Sequence, residues 1–125
     1  MKKVIATGFG LLLAINVFAE TPYDTVMVRS NQGELSAVSV GNKVFYVKSF
    51  NVELLNIGPK AVDLSKVCFK AYDDKGKEFK VDTIDETFTT GMLKAQGHIK
   101  SFIEFASEDD SVYKAQIVKL ATKCD

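Results

Sequence analysis

This sequence has little of the material from which catalytic and metal centres are built. Its 125 residues include one histidine, two cysteines and no tryptophan, which leaves few groups for a metal cluster or for histidine-based catalysis. Basic and acidic side chains number 16 each, so no charge excess indicates nucleic acid or anionic lipid as a partner. The composition therefore predicts a protein that is not an enzyme, has no cofactor and binds no nucleic acid.

Internal repeats, low-complexity tracts and long Pro/Gly/Ser linkers are also missing from the sequence. One apolar run, residues 4–17, follows Met1-Lys2-Lys3 and ends near the small residue Ala19. The run is shorter than the roughly 20 apolar residues that span a bilayer, and its flanks are typical of a secretory signal peptide. We therefore expect a signal peptide at 1–19, a single β-sandwich domain at 20–125 and a periplasmic or secreted protein without a membrane span after cleavage.

The two cysteines are expected to form a disulfide, because an even number of cysteines in an oxidising compartment indicates one. Only one intramolecular pair can form, Cys68 with Cys124. A reactive thiol or metal pair is the alternative, but the sequence has neither a C-x-x-C spacing nor a neighbouring histidine. The sequence therefore predicts a structural disulfide that ties down the C-terminus.

From Val44 onward, apolar and polar residues alternate with the period of two that is typical of strands. The predicted strands are 44–54, 62–72, 78–84, 92–93, 98–106 and 112–120, with two weaker edge strands at 25–29 and 35–40 joined by a turn at 30–33. About seven short antiparallel strands of this spacing favour an all-β immunoglobulin or fibronectin type III-like β-sandwich. A small β-barrel is the alternative fold.

His98 is the obvious candidate for chemistry, because it is the one histidine in the chain. A copper site with Met92 or Met27 is one interpretation, but copper sites usually use more than one imidazole. No nucleophile or orienting partner surrounds His98 as catalysis would require. We therefore expect an exposed histidine at the start of a strand.

Two groups of carboxylates are further candidates. Glu108, Asp109 and Asp110 have oxygen atoms that suit calcium, but their spacing matches no calcium-loop motif. Asp82, Asp85 and Glu86 include the carboxylate pairs that glycosidases use, but a domain of this size has little room for a sugar cleft. Both groups are expected to be solvated loops, so the sequence predicts no catalytic and no metal-binding residue.

Most aromatic side chains are expected in the core. Phe69, Phe79, Phe102 and Phe105 fall within the strand patterns, and sandwich interiors need large apolar side chains. Lysines around the hairpin loop 73–76 are mixed with acidic residues, which indicates solubility rather than a polyanion site. The sequence assigns no residue to a binding surface.

Several segments together carry a resemblance to a known family. They are 52–64, 68–73, 91–97, 102–105 and 118–120, the last just before the terminal cysteine. In these segments the chain resembles a small family of secreted bacterial proteins whose best-known member is the interleukin receptor mimic protein A. The resemblance implies a fibronectin type III-like homodimer with exchanged strands that binds host cytokines in virulence, with Cys68 and Cys124 as its disulfide.

Two functions are compatible with these observations. The first is an exported, non-enzymatic protein-binding domain, which the resemblance narrows to a cytokine-receptor mimic. The alternative is a periplasmic metal-binding or chaperone-like β-sandwich protein, motivated by His98, the methionines and the acidic loop 108–110.

Overall fold

The computed structural model describes residues 22–124, so the predicted signal peptide lies outside it. Eight strands occupy most of this range: β1 (Val26–Val40), β2 (Lys43–Asn56), β3 (Val62–Asp63), β4 (Cys68–Tyr72), β5 (Glu78–Ile84), β6 (Met92–Leu93), β7 (His98–Ser107) and β8 (Ile117–Ala121). Four short 3-10 helices connect or precede them: Pro22–Thr25, Leu64–Lys66, Glu86–Phe88 and Asp110–Lys114. The predicted all-β, antiparallel β-sandwich is confirmed.

Six of the strands form one sheet in the order β1-β2-β7-β5-β4-β8, and β3 pairs with β6. The sheet folds into two layers at β5, where Glu78 and Phe79 pair with β4 but Lys80–Ile84 pair with β7. Strands that change layers in this way form the corners of sandwiches. The outer strands β1 and β8 then lie side by side, and the Val118 N–H donates to Ser30 Oγ at 3.2 Å.

The core lies between the layers and is filled from alternate positions of the strands. Phe50 and Leu54 of β2 and Ile103 and Phe105 of β7 are fully buried, and the rings of Phe50 and Phe105 meet edge to face at 5.7 Å. Burial of each such side chain contributes about 1.5–3 kcal/mol. Phe102, which was expected in the core, instead points to the outer side of the sheet and is 41% exposed.

The two weak edge strands predicted near the N-terminus are one continuous strand, β1. The predicted turn at 30–33 is instead a bulge, where the pairing with β2 shifts between Gln32 and Leu35. Gly33 fits there because a Cβ atom would lie 2.5 Å from Ser49 Oγ. Because Gly33 has no side chain, the backbones of β1 and β2 approach closely at this point. Strand β1 therefore continues beyond the bulge and does not turn.

Two predicted strands are interrupted by 3-10 helices. The run 62–72 breaks at Leu64–Lys66, and the run 112–120 begins as Asp110–Lys114 before β8 starts. Asp63 accepts from the Ser65 N–H at 3.0 Å, and Asp109 accepts from the Ser111 N–H at 2.9 Å. Each carboxylate satisfies a helical N–H that would otherwise lack a partner, and this local preference overrides the alternation.

The structure joins Cys68 and Cys124 in a disulfide, with their Cα atoms 5.7 Å apart. Cys68 begins β4, and Cys124 follows the paired strand β8. The bond therefore secures the end of the chain to the sheet, as the sequence predicted.

Candidate functional site

The hairpin of β1 and β2 extends beyond the rest of the sheet. Strand β7 pairs with β2 from Tyr46 to Leu55 only, so the last residues of the hairpin have β1 as their one strand neighbour. We call residues 35–45 the arm. A two-residue turn at Gly41 and Asn42 closes it, with Gly41 at a φ of 62°, the conformation that tight hairpins require.

The arm carries apolar side chains that are about half exposed. Leu35, Val38, Val40 and Val44 are between 46% and 63% exposed. No charged residue occurs from Leu35 to Asn42. Natural edge strands usually carry lysine, proline or inward charges that prevent pairing with other chains, and this segment has none of them.

The outer edge of the arm is also open along its backbone. Strand β1 ends the sheet on this side, and the Tyr113 hydroxyl donates to the Ser36 carbonyl oxygen at 2.8 Å. Beyond Ser36, no residue of the range 22–124 bonds to the outer edge of β1. The arm therefore combines an open strand edge with exposed apolar side chains.

A buried lysine fixes the base of the arm. Lys48 Nζ donates to Gln32 Oε1 at 2.5 Å and to the carbonyl oxygens of Tyr113 and Ala115 at 2.8 and 2.6 Å. Burial lowers the pKa of Lys48, because the charged form loses its hydration. The rings of Tyr46 and Tyr113 also meet edge to face at 5.8 Å, so the arm starts from a rigid support.

A second surface lies on the outer side of β1, β2 and β7, further from the tip of the hairpin. Cross-strand pairing places its side chains in three rows: Met27, Leu55 and His98; Arg29, Glu53 and Lys100; Asn31, Asn51 and Phe102. The third row, together with Glu53 and Lys100 of the second, borders a groove of about 430 Å³. We call it the outer groove.

Glu53 is the centre of the charges beside the outer groove. His98 Nε2 is hydrogen-bonded to Glu53 Oε2, and Arg29 Nη1 lies 3.7 Å from Glu53 Oε1. The hydrogen bond from His98 holds the pKa of Glu53 below its ordinary value, and the charges of His98, Arg29 and Lys100 act in the same direction. The carboxylate is therefore held in its charged form, with basic side chains beside it.

The residues considered for copper do not form a cluster. His98 is bonded to Glu53, Met27 is on the same face but separated from His98 by Leu55, and Met92 is exposed on the separate strand β6. Within residues 22–124, no three or more histidine, cysteine or acidic side chains are arranged to hold a metal ion. The metal-binding alternative gains no support from this arrangement.

The acidic candidates support local structure. Asp85 accepts from the Thr87 N–H at 2.9 Å and from Ser101 Oγ at 2.8 Å, and the bond from Thr87 is the largest cause of its lowered pKa. Asp109 caps the 3-10 helix at 110–114, and its hydrogen bond from the Ser111 side chain is the main cause of its lowered pKa. Asp82 accepts from Thr83 Oγ1 at 3.1 Å.

The sequence pattern did not predict the arm or the burial of Lys48 at its base. The segment 35–40 gave only a weak strand signal because most of its side chains are exposed on both faces. Its lack of charge was the available clue to an open edge. Lys48 was placed on a strand by the alternation, but the carbonyl groups that it meets are more than 60 residues away in the chain.

Comparisons with known proteins find a matching family model and a similar solved structure. Residues 1–122 match the family described as a domain of unknown function, DUF4354. The crystal structure of an ApaG protein from Pseudomonas aeruginosa PAO1 is similar at 40% identity and a TM-score of 0.77, over 81% of this chain and 98% of that one. No curated protein matches the chain.

These matches differ from the resemblance named from the sequence. They support the fibronectin type III-like sandwich but not the specific likeness to the interleukin receptor mimic protein A, which stays a prediction. Within residues 22–124, no helix has the length and hydropathy to cross a membrane.

Proposed function

Because this chain belongs to the family of the domain of unknown function DUF4354, we propose its function from its own surface: it is a non-enzymatic domain that binds another protein through the arm. The observation that carries this proposal is the open, uncharged edge of β1 beyond Ser36. An extended segment of a partner adds to such an edge as a further strand, and its backbone hydrogen bonds supply affinity.

The exposed side chains of the arm supply the apolar part of the contact. Val38 and Val40 lie at alternate positions of β1 and share one face, opposite Phe45 and Lys43 of β2. A partner strand beside β1 would cover these valines with its own side chains, because neighbours across a strand pair lie about 5 Å apart. We therefore expect the partner segment to be extended, with uncharged apolar residues at alternate positions.

The support under the arm makes it suitable for binding without rearrangement. Lys48 and Tyr113 tie its base to the 3-10 helix at 110–114. A strand edge held in advance loses little conformational entropy on binding. Export to the periplasm or to the medium remains part of the proposal, and it rests on the apolar run at 4–17.

Site-specific cross-linking tests this function. The full chain is produced in bacteria with a photoreactive amino acid in place of Val38 or, as a control on another surface, Thr83, and it is irradiated in the culture before the exported form is purified. We expect defined adducts from position 38 with a partner protein, and their loss in the variant Val40→Lys. Equal adducts from both positions, or none from position 38, would contradict the proposal.

Two kinds of partner are expected, a host cytokine and a second copy of this chain. Separate measurements on the exported chain test each of them. Biolayer interferometry against a panel of cytokines tests receptor mimicry, with reduced and denatured chain as the control. Light scattering tests the homodimer, since a second copy offers the same open edge and a symmetric pair of β1 strands is self-complementary. Binding or dimerisation that survives Val38→Lys would place the contact elsewhere on the surface.

A further inference from the structure

The outer groove is a second surface that protein binding by the arm does not use. Its three strands are β1, β2 and β7, and neighbouring strands are about 4.8 Å apart. The row of Asn31, Asn51 and Phe102 therefore spans about 10 Å, because its two ends are two strand spacings apart. That length suits one sugar ring that lies across the row.

The charges of the groove suit neither a polyanion nor a cation. Glu53 is paired with Arg29 and His98, so its carboxylate does not present an unbalanced negative charge. Lys100 is the further cation among the groove residues. A polyanion would need a larger positive excess, and a cation would need an unpaired carboxylate.

The amides of the groove have the hydrogen-bonding capacity that such a ligand needs. Asn31 and Asn51 are directly paired across β1 and β2, so their Cβ atoms lie about 5 Å apart. Both residues are exposed, and each side chain offers a carbonyl oxygen as acceptor and an amino group as donor. Sugar hydroxyl groups donate and accept in the same way, so adjacent hydroxyls match adjacent amides.

Phe102 supplies the apolar component. It lies beside Asn51 in the register of β2 and β7 and is 41% exposed, although large apolar side chains are normally buried. A pyranose ring has an apolar C–H face that packs on an aromatic side chain while its hydroxyls remain free for hydrogen bonds. An exposed phenylalanine among polar groups is the combination of few polar contacts and apolar surface that ligand sites use.

From these observations we infer that the outer groove binds one residue of an uncharged glycan, with Phe102 under the sugar ring and Asn31 and Asn51 bonded to its hydroxyl groups. The acidic residues Asp82, Asp85 and Glu86 take no part, because none of them lines the groove. This activity is independent of the arm.

Nuclear magnetic resonance on the full exported chain tests the inference. The probes are the methyl glycosides of glucose, galactose, mannose and N-acetylglucosamine, with N-acetylneuraminic acid and glucose 6-sulfate as charged comparisons. We expect at least one neutral probe to shift the side-chain amide signals of Asn31 and Asn51 in a saturable way. Response to the charged probes alone, or to none, would overturn the inference.

Matched variants locate the binding. Phe102→Ala and Asn51→Ala should each weaken binding of the neutral probe at least about fivefold, because each removes a direct contact. Thr83→Ala, on the same side of the sheet but outside the groove, and Val38→Lys, on the arm, should leave the affinity unchanged. Affinity that is insensitive to Phe102 and Asn51 would refute the site even if the sugar binds.

Discussion

The ammonium group of Lys48 donates to the carbonyl oxygen of Ala115 at 2.6 Å. Lys48 lies in β2 and is 3% exposed, and Ala115 follows the 3-10 helix at 110–114 and is fully buried. Lys48 also donates to the Tyr113 carbonyl oxygen at 2.8 Å. One side chain thus connects the base of the arm with the connection between β7 and β8.

Loss of this connection should destabilise the domain. Lys48→Met keeps the length of the side chain but leaves the Tyr113 and Ala115 carbonyl groups without their donor, at a cost of about 1–3 kcal/mol in the free energy of unfolding. Urea denaturation measures the change. Lys43→Met, at an exposed position of the same strand, is the control and should leave the unfolding midpoint unchanged.

Equal free energies of unfolding for Lys48→Met and the natural chain would contradict this prediction. Replacement of a buried charge by an apolar side chain is sometimes neutral. Such a result would show that the hydrogen bonds of Lys48 merely balance its desolvation.

Asn56 should be nearly as sensitive. Its buried Nδ2 donates to the carbonyl oxygens of Lys60 and Leu93 at 2.7 and 3.0 Å, and its Oδ1 accepts from the Gly58 N–H at 3.0 Å. Asn56→Ala leaves these groups unsatisfied and should lower the free energy of unfolding by about 1–3 kcal/mol.

Thermal and urea unfolding report that change, with Asn51→Ala as the exposed counterpart on the same strand. Similar midpoints for the two variants would show that water replaces the lost hydrogen bonds at position 56. The comparison also tests whether the exposed Asn51, unlike the buried Asn56, is replaced without loss of stability.

The disulfide should contribute strongly to stability. Cys68 and Cys124 are 56 positions apart, and the chain-entropy model assigns about 4 kcal/mol to a loop of this length. The double variant Cys68→Ser, Cys124→Ser should unfold at a correspondingly lower urea concentration. Reductant should lower the midpoint of the natural chain and leave that of the variant unaffected; a natural chain indifferent to reductant contradicts the prediction.

Protonation of Glu53 should depend on His98. The hydrogen bond from His98 is the largest cause of the lowered pKa of Glu53, so His98→Gln should move that pKa upward, toward the ordinary value of 4.5. A titration of the Glu53 carboxyl carbon by nuclear magnetic resonance measures the pKa in both chains. An unchanged pKa would mean that Arg29 and Lys100 are sufficient.

The same pair predicts the sign of a pH effect on stability. A carboxyl group whose pKa is lower in the folded chain stabilises it above the ordinary pKa, and this contribution is lost as the pH falls through the folded value. Acidification below about pH 4.5, the ordinary value, should therefore destabilise the natural chain more than His98→Gln. Parallel stability curves for the two chains would contradict this linkage.

Much of the strand pattern could be predicted because it is local. Strands 78–84 and 92–93 have the predicted bounds, and Phe69, Phe79 and Phe105 are buried as expected. The two interrupted strands could not be predicted from alternation, because aspartate caps at Asp63 and Asp109 start helical turns within the apolar pattern.

The sequence by itself determined the all-β class, most strand positions and the disulfide pair, because period-two hydrophobicity and cysteine count are properties of neighbouring residues or of the whole composition. Only the tertiary structure decided that the arm projects, that Lys48 is buried and that Phe102 is exposed. Alternation separates the two faces of a strand, but the packing of distant segments determines which face is covered and which edge stays open.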